Sequence, residues 1–183
     1  MRPQASRSIR RFGTLAIGML LGAAGMFVGL AQADRIAPAR PDVLVALGQR
    51  VEVEHRAVDL KVGRGDFVGA VESLESLRSG PWPAPEDSTS VSTALRHDAY
   101  GRLVRLRLDH REVDPVSDDK LLEIVAEGLG DEDAEVSPFT ARLWALRGEL
   151  YESQNRDDDA LEAYEKALEI NGLLLERELG GEP

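Results

Sequence analysis

The chain of 183 residues contains no cysteine. That excludes a disulfide framework, a thiolate zinc site and a cysteine nucleophile. It also removes the lipid-attachment cysteine of a bacterial lipoprotein. Histidine is nearly as scarce, with only His55, His97 and His110. These three have no metal-ligand spacing, and His110, Glu112 and Asp114 read as a solvated loop. Positive charge is lacking where a nucleic acid would need it. All 33 acidic residues fall at or after Asp34, and residues 34–183 carry 18 basic side chains, a net charge of −15. That balance argues against DNA or RNA as a partner. There is no Gly-rich phosphate loop, no nucleophile elbow and no base placed near a serine. The sequence therefore predicts no enzyme, no cofactor and no metal site.

Strand patterning is missing as well. Val51-Glu52-Val53-Glu54 alternates briefly, but Leu44, Leu47, Val58 and Leu60 around it favour a helix. What is there is 43% hydrophobic and 5% aromatic over the whole chain, rich in Ala, Leu, Glu and Arg. This is the composition of a folded helical protein and not of a disordered one.

The N-terminus differs from the rest. Arg2, Arg7, Arg10 and Arg11 precede an uncharged run whose apolar core, Phe12 to Leu30, is 19 residues long. That is close to the ~20 residues that span a bilayer core, and longer than the usual signal core of about 7–15. The basic flank predicts that residues 34–183 lie across the membrane from the cytoplasm. Length favours an uncleaved signal anchor over residues 1–33. Ala31-Gln32-Ala33 favours cleavage after Ala33, which would leave a domain soluble in the periplasm or secreted. Both readings stay open. Gly18, Gly22, Gly25 and Gly29 have the spacing that seats a second membrane helix, though such glycines are also common in export segments.

Residues 34–42, with two prolines, read as a linker. Residues 43–179 then read as three helical hairpins, at 44–79, 91–129 and 138–171, followed by a capping helix at 173–179 and a tail at 180–183. The first hairpin turns at Gly63-Arg64-Gly65. Arg64-Gly65-Asp66 matches a cell-adhesion tripeptide, but at this place it reads as a turn. Phe67, Ala70, Val71, Leu74 and Leu77 share one face of the returning helix, as do Leu121, Leu122, Val125, Ala126 and Leu129 in the second hairpin. Ser137-Pro138 is an N-cap with proline in the first turn, and Gly172 reads as a C-cap.

The third hairpin carries Trp144, Gly148 and Tyr151 on its first helix and Ala160, Tyr164 and Ala167 on its second. In these residues it resembles a tetratricopeptide repeat, a 34-residue helix–turn–helix unit, over about 141–174. Small Gly148 and Ala160 let the helices approach, and the aromatic residues fill between them. Asn155 suits a left-handed turn position. Asp157, Asp158 and Asp159 are expected to cap the second helix, and Glu162 and Lys166 to pair on its surface. Arg147 departs from the usual Leu and is expected to weaken a packing contact, and Gly172 departs from the usual Pro. The first hairpin echoes the pattern in Gly65-Asp66-Phe67, Ala70 and Leu74. One such repeat does not bury its own faces, and about three make a stable stack. The expected fold is thus all-α, a short α-solenoid behind an N-terminal hydrophobic helix.

The resemblance implies a protein or peptide partner, bound without catalysis along a concave face made by the first helices. The corresponding positions are Arg142, Ala145, Glu149 and Glu152, with Glu52, His55 and Asp59 in the first hairpin. They do not reproduce the Lys/Asn clamp for a C-terminal carboxylate found in chaperone-binding members. Arg96, Arg102, Arg105 and Arg107 make one helix basic within an acidic domain. They read either as a solvated face or as a groove for an acidic peptide. A homo-oligomerising assembly protein of the cell envelope is the second reading.

Overall fold

In the computed structural model, residues 41–83, 89–130 and 136–180 are described below. The expected signal anchor or signal peptide over 1–33, its expected cleavage position and the acidic loop 131–135 lie outside them. Among the described residues the chain is all-helical, and no helix is long and apolar enough to cross a membrane.

The described residues form six helices in order: α1 Pro41–Gly63, α2 Phe67–Arg78, α3 Ser90–Asp109, α4 Asp118–Leu129, α5 Pro138–Ser153 and α6 Asp157–Leu179. Most of their starts are set by side chains that accept from an orphan backbone N–H. Asp66 accepts from Gly69, Thr89 from Ser92, Ser117 from Lys120 and Ser137 from Thr140. Thr89 and Ser92 form a reciprocal capping box, and Pro138 stands in the first turn of α5. Helix α6 is the exception. Its N-cap is Arg156, with no side-chain cap bond, so the three aspartates do not cap it as expected; they line its first turn, and Asp159 pairs with Arg156 at 2.8 Å. Acids in the first turn still complement the helix dipole.

The helices make a one-dimensional array. Each packs on the next in sequence, α1 also packs on α3, and α3 on α5. The even helices α2, α4 and α6 do not pack on one another, and between α2 and α4 only the long side chains of Arg78 and Glu127 reach across, pairing at 2.6 Å. When the odd helices touch and the even helices stand apart, the stack bends toward the odd layer. The odd helices therefore line the concave side of a short helical solenoid. One core runs through it, from Val58, Ala70 and Leu74 through Leu103, Leu121 and Val125 to Leu143, Leu146 and Leu150. A second cluster of Val51, Leu77 and Ala99, with Trp82 against it, closes the other end of α1 and α2.

The first and third hairpins share one turn. Arg64, Gly65 and Asp66 donate backbone bonds to Lys61, Val62 and Lys61. Gln154, Asn155 and Arg156, ninety residues on, donate to Tyr151, Glu152 and Tyr151. Gly65 at φ 77° and Asn155 at φ 58° take the left-handed position this turn needs. The tripeptide 64–66 is thus a turn and a helix cap. The second hairpin turns differently, through the longer 110–117 segment.

Close helix contact is achieved by fitting an aromatic ring against a glycine. A Cβ on Gly148 would lie 2.5 Å from the Tyr164 ring, and one on Gly128 would lie 2.9 Å from the Tyr100 ring. The second hairpin uses the same device with the partners exchanged, tyrosine on its first helix and glycine on its second. Arg147 fits the third hairpin in a way the sequence did not suggest. Its guanidinium lies 4.9 Å from the Trp144 ring centre and 5.4 Å from that of Tyr151, and it donates to the Tyr151 hydroxyl at 3.1 Å. Cation–π stacking replaces the aliphatic contact that a leucine would make.

Helix α6 does not end at Gly172. It runs on to Leu179, with Gly180 as C-cap donating to Glu176, so the expected separate capping helix at 173–179 is instead its last two turns. A glycine inside a helix costs only about 1 kcal/mol, and the strong helix formers Leu173 to Leu179 offset that. Leu173, Leu175 and Leu179 stay exposed and do not fold back over the repeat. Lys166 pairs with Glu169, not with Glu162.

These two glycines predict opposite effects in urea unfolding. Gly148→Ala should destabilise by about 1–3 kcal/mol, because the Tyr164 ring blocks the methyl group. Gly172→Ala, with nothing within 4 Å of its Cβ position, should stabilise by up to about 1 kcal/mol. A loss of stability at Gly172 would mean that α6 is not continuous there.

Candidate functional site

The concave side is built from one face of each odd helix. Helical spacing aligns Glu52, His55 and Asp59 on α1 and Arg142, Ala145, Glu149 and Glu152 on α5. Between them, α3 contributes Asp98, Arg102 and Arg105. The side chains meet across the helices. Asp59 pairs with Arg102 at 3.4 Å, and His55 lies 3.5 Å from Asp98. Asp98 also faces Arg142 at 3.7 Å, and Arg105 pairs with Glu149 at 2.6 Å. The face is therefore a ladder of alternating charge running over three hairpins. The stem of Arg142 passes 3.6 Å from where a Cβ on Gly101 would stand, an ordinary contact distance. Ala145 is half-buried among these groups. Glu52 pairs only within α1, with Arg56 at 2.7 Å. Glu152 accepts from the Tyr164 hydroxyl at 2.9 Å, and burial together with that bond pushes the Tyr164 pKa up to about 12.

His55 is the least exposed titratable group on this face. Burial lowers its pKa, and the neighbouring Asp98 only partly opposes this. Its Nε2 is buried and makes no hydrogen bond among the described residues.

The four arginines read together from the sequence separate in space. Arg102 and Arg105 belong to the ladder. Arg107 turns to the other side of α3, to Glu75 of α2 at 2.9 Å and Asp114 at 3.1 Å. Arg96 donates to the Glu127 carbonyl of α4 at 2.9 Å and lies over the Tyr100 ring. Among the described residues these four arginines do not line one basic groove. The arginines serve as ties from α3 to its neighbours, each answered by a carboxylate or a carbonyl. Sequence reading missed Asp98, which joins all three odd helices. The signal available was its place three and four residues from Gly101 and Arg102 on the same helix face.

His97 is a different case, buried at 2% exposure. Its Nδ1 lies 2.9 Å from the Thr140 hydroxyl, which in turn meets Ser137 at the start of α5. It joins α3 to α5 and does not face the ladder. Phe67 stacks on His110 at 3.7 Å. Among the described residues no cluster of His, Asp and Glu is arranged to hold a metal ion.

Burial pushes the His97 pKa down to about 4. An unfolded histidine titrates near 6.5, so between these values the unfolded chain binds the extra proton. Stability from neutral His97 is then complete above pH 6.5 and falls as pH drops toward 4, by up to about 3 kcal/mol. His97→Gln should flatten the difference in urea midpoint between pH 7 and pH 4.5 relative to the unsubstituted chain. An unchanged pH slope would show that His97 is not buried neutral.

Comparison with known proteins agrees with the geometry of the last hairpin. No curated protein and no solved structure matches the chain. Residues 141–172, the whole of hairpin α5–α6 apart from its two ends, match the family model of the tetratricopeptide repeat, and the chain thus contains one clear repeat of that family.

Proposed function

We propose that this protein is a non-catalytic protein–protein interaction module that receives its partner on the face lined by α1, α3 and α5. A tetratricopeptide repeat is an interaction unit, and the observation that carries the reading is the series of cross-helix contacts Asp59–Arg102, His55–Asp98–Arg142 and Arg105–Glu149. Partly exposed ion pairs of this kind contribute only about 0–1 kcal/mol each. A partner of mixed charge replaces them at small cost and fixes its register against both signs. The face does not reproduce the Lys/Asn clamp, so a C-terminal carboxylate is not the ligand it supports. The partner is a protein or peptide, with no nucleic acid and no cofactor.

The basic flank, the apolar run 12–30 and Ala31-Gln32-Ala33 support a place on the extracytoplasmic side of a membrane, tethered or released. The layout suits an accessory subunit of an envelope complex.

A photo-crosslinking side chain at Ala145, in the full chain expressed in its native host, should give a discrete adduct with a second protein. The same probe at Ser76, exposed on α2, should give none. Adducts at Ser76 alone would move the binding face to the convex side. The intact mass of the recovered protein then separates an anchored chain from one that begins at Asp34.

A further inference from the structure

Among the described residues the stack is unfinished at both ends, and the two ends are complementary. The shared turn places α1 and α5 in one register, ninety residues apart. Val53 and Leu60 of α1 thereby correspond to Leu143 and Leu150 of α5. Those leucines are fully buried where α5 packs on the preceding hairpin, whereas Val53 is 66% and Leu60 62% exposed. No described helix precedes α1.

At the other end, the N-caps Asp66, Ser117 and Arg156 align α2, α4 and α6. Leu161 of α6 corresponds to Val71 of α2, which α3 covers, and Leu168 corresponds to Leu129 of α4, which α5 covers. Val71 and Leu129 are both buried at 7%, but Leu161 is 59% and Leu168 69% exposed, and Leu175 continues the stripe one heptad on. The polar contacts correspond too. Asp119 of α4 accepts from Gln154 of α5 at 2.8 Å, and Glu75 of α2 takes Arg107 of α3. Their counterparts on α6, Asp158 and Glu165, make no ion pair among the described residues.

We propose that α1 of a second copy of this chain docks on α6, so that copies continue the stack head to tail. The apolar pattern fits, with Val53 and Leu60 seven residues apart meeting Leu161, Leu168 and Leu175 at the same spacing. Charge fits as well. The stripe on α6 is edged by Asp158, Glu165, Glu169 and Glu176 on one side; at the other end Arg56 stands on α1, beside its partner Glu52, and Arg64 in the turn that follows it. Arg64 corresponds to Gln154 and so comes to Asp158 as Gln154 comes to Asp119. Pairing α6 with another α6 would instead set acidic edges together. A contact between two different faces is heterologous, so it adds copies in one direction, into a ring where the rotation closes and into a filament where it does not. Each junction would continue the layer of odd helices.

The cysteine-free sequence makes the test direct. Full-length Arg64→Cys and Asp158→Cys chains, carrying tags of different size, are co-expressed and treated with a short bismaleimide. Both substituted residues are exposed, and exposed ion pairs contribute little, so the apolar contact should survive the change. The expected result is a mixed dimer, a ladder of higher multiples from the chain bearing both substitutions, and loss of both when Leu168→Glu is added. Self-crosslinking of Asp158→Cys without the mixed product would overturn the proposal in favour of α6 pairing with itself. The absence of any product would overturn it in favour of an end that other proteins cover or that stays open.

Discussion

A two-helix hairpin has two apolar faces and can bury only one by itself. That constraint governs this molecule. Leu143, Leu146 and Leu150 are almost completely buried because α5 lies between α4, α3 and α6, and no single hairpin provides all three neighbours. Removing such a leucine would cost about 2–5 kcal/mol, a large part of the stability of a small domain. The same wedge recurs at α3, between α1, α2, α4 and α5. Stability therefore comes from the interfaces between neighbours, and the hairpins hold only as a set.

Contact among the odd helices has a second consequence. It brings three helix faces close enough for side chains to meet across them, and these side chains are mostly charged. Asp98 stands at the middle of that layer, between His55 and Arg142. The same arginine-rich α3 ties backward to α2 through Arg107 and forward to α4 through Arg96. Polar ties of this kind add little energy but select one rotation of each helix against the next. The packing that makes the solenoid thus also defines the face it offers.

Much of this was legible in the sequence where the signal is local. The turn at 63–66 follows from Gly65 and Asp66, helix 118–129 from its 3.6-residue period, and the start of α5 from Ser137-Pro138. The third hairpin was readable because glycine, alanine and aromatic residues stand at fixed spacings. The glycine–tyrosine fit of the second hairpin was hidden because the two residues had exchanged helices. Gly172 misled for a physical reason: a glycine inside a helix costs only about 1 kcal/mol, and the leucines after it keep α6 going. The arginines of α3 looked like one basic surface because sequence gives their helix but not which neighbour each one faces. That depends on the angle between hairpins, which no local pattern encodes.

The central claim is that the stack curves with its odd helices inside. Spin labels on the cysteine-free chain measure this directly, through equivalent positions in the first and third hairpins. One pair is placed on the odd helices, Glu52→Cys with Arg142→Cys, and one on the even helices, Glu72→Cys with Glu162→Cys. The account predicts that the label separation on the odd helices is clearly the shorter of the two. Equal separations, or a shorter one between the even helices, would contradict it.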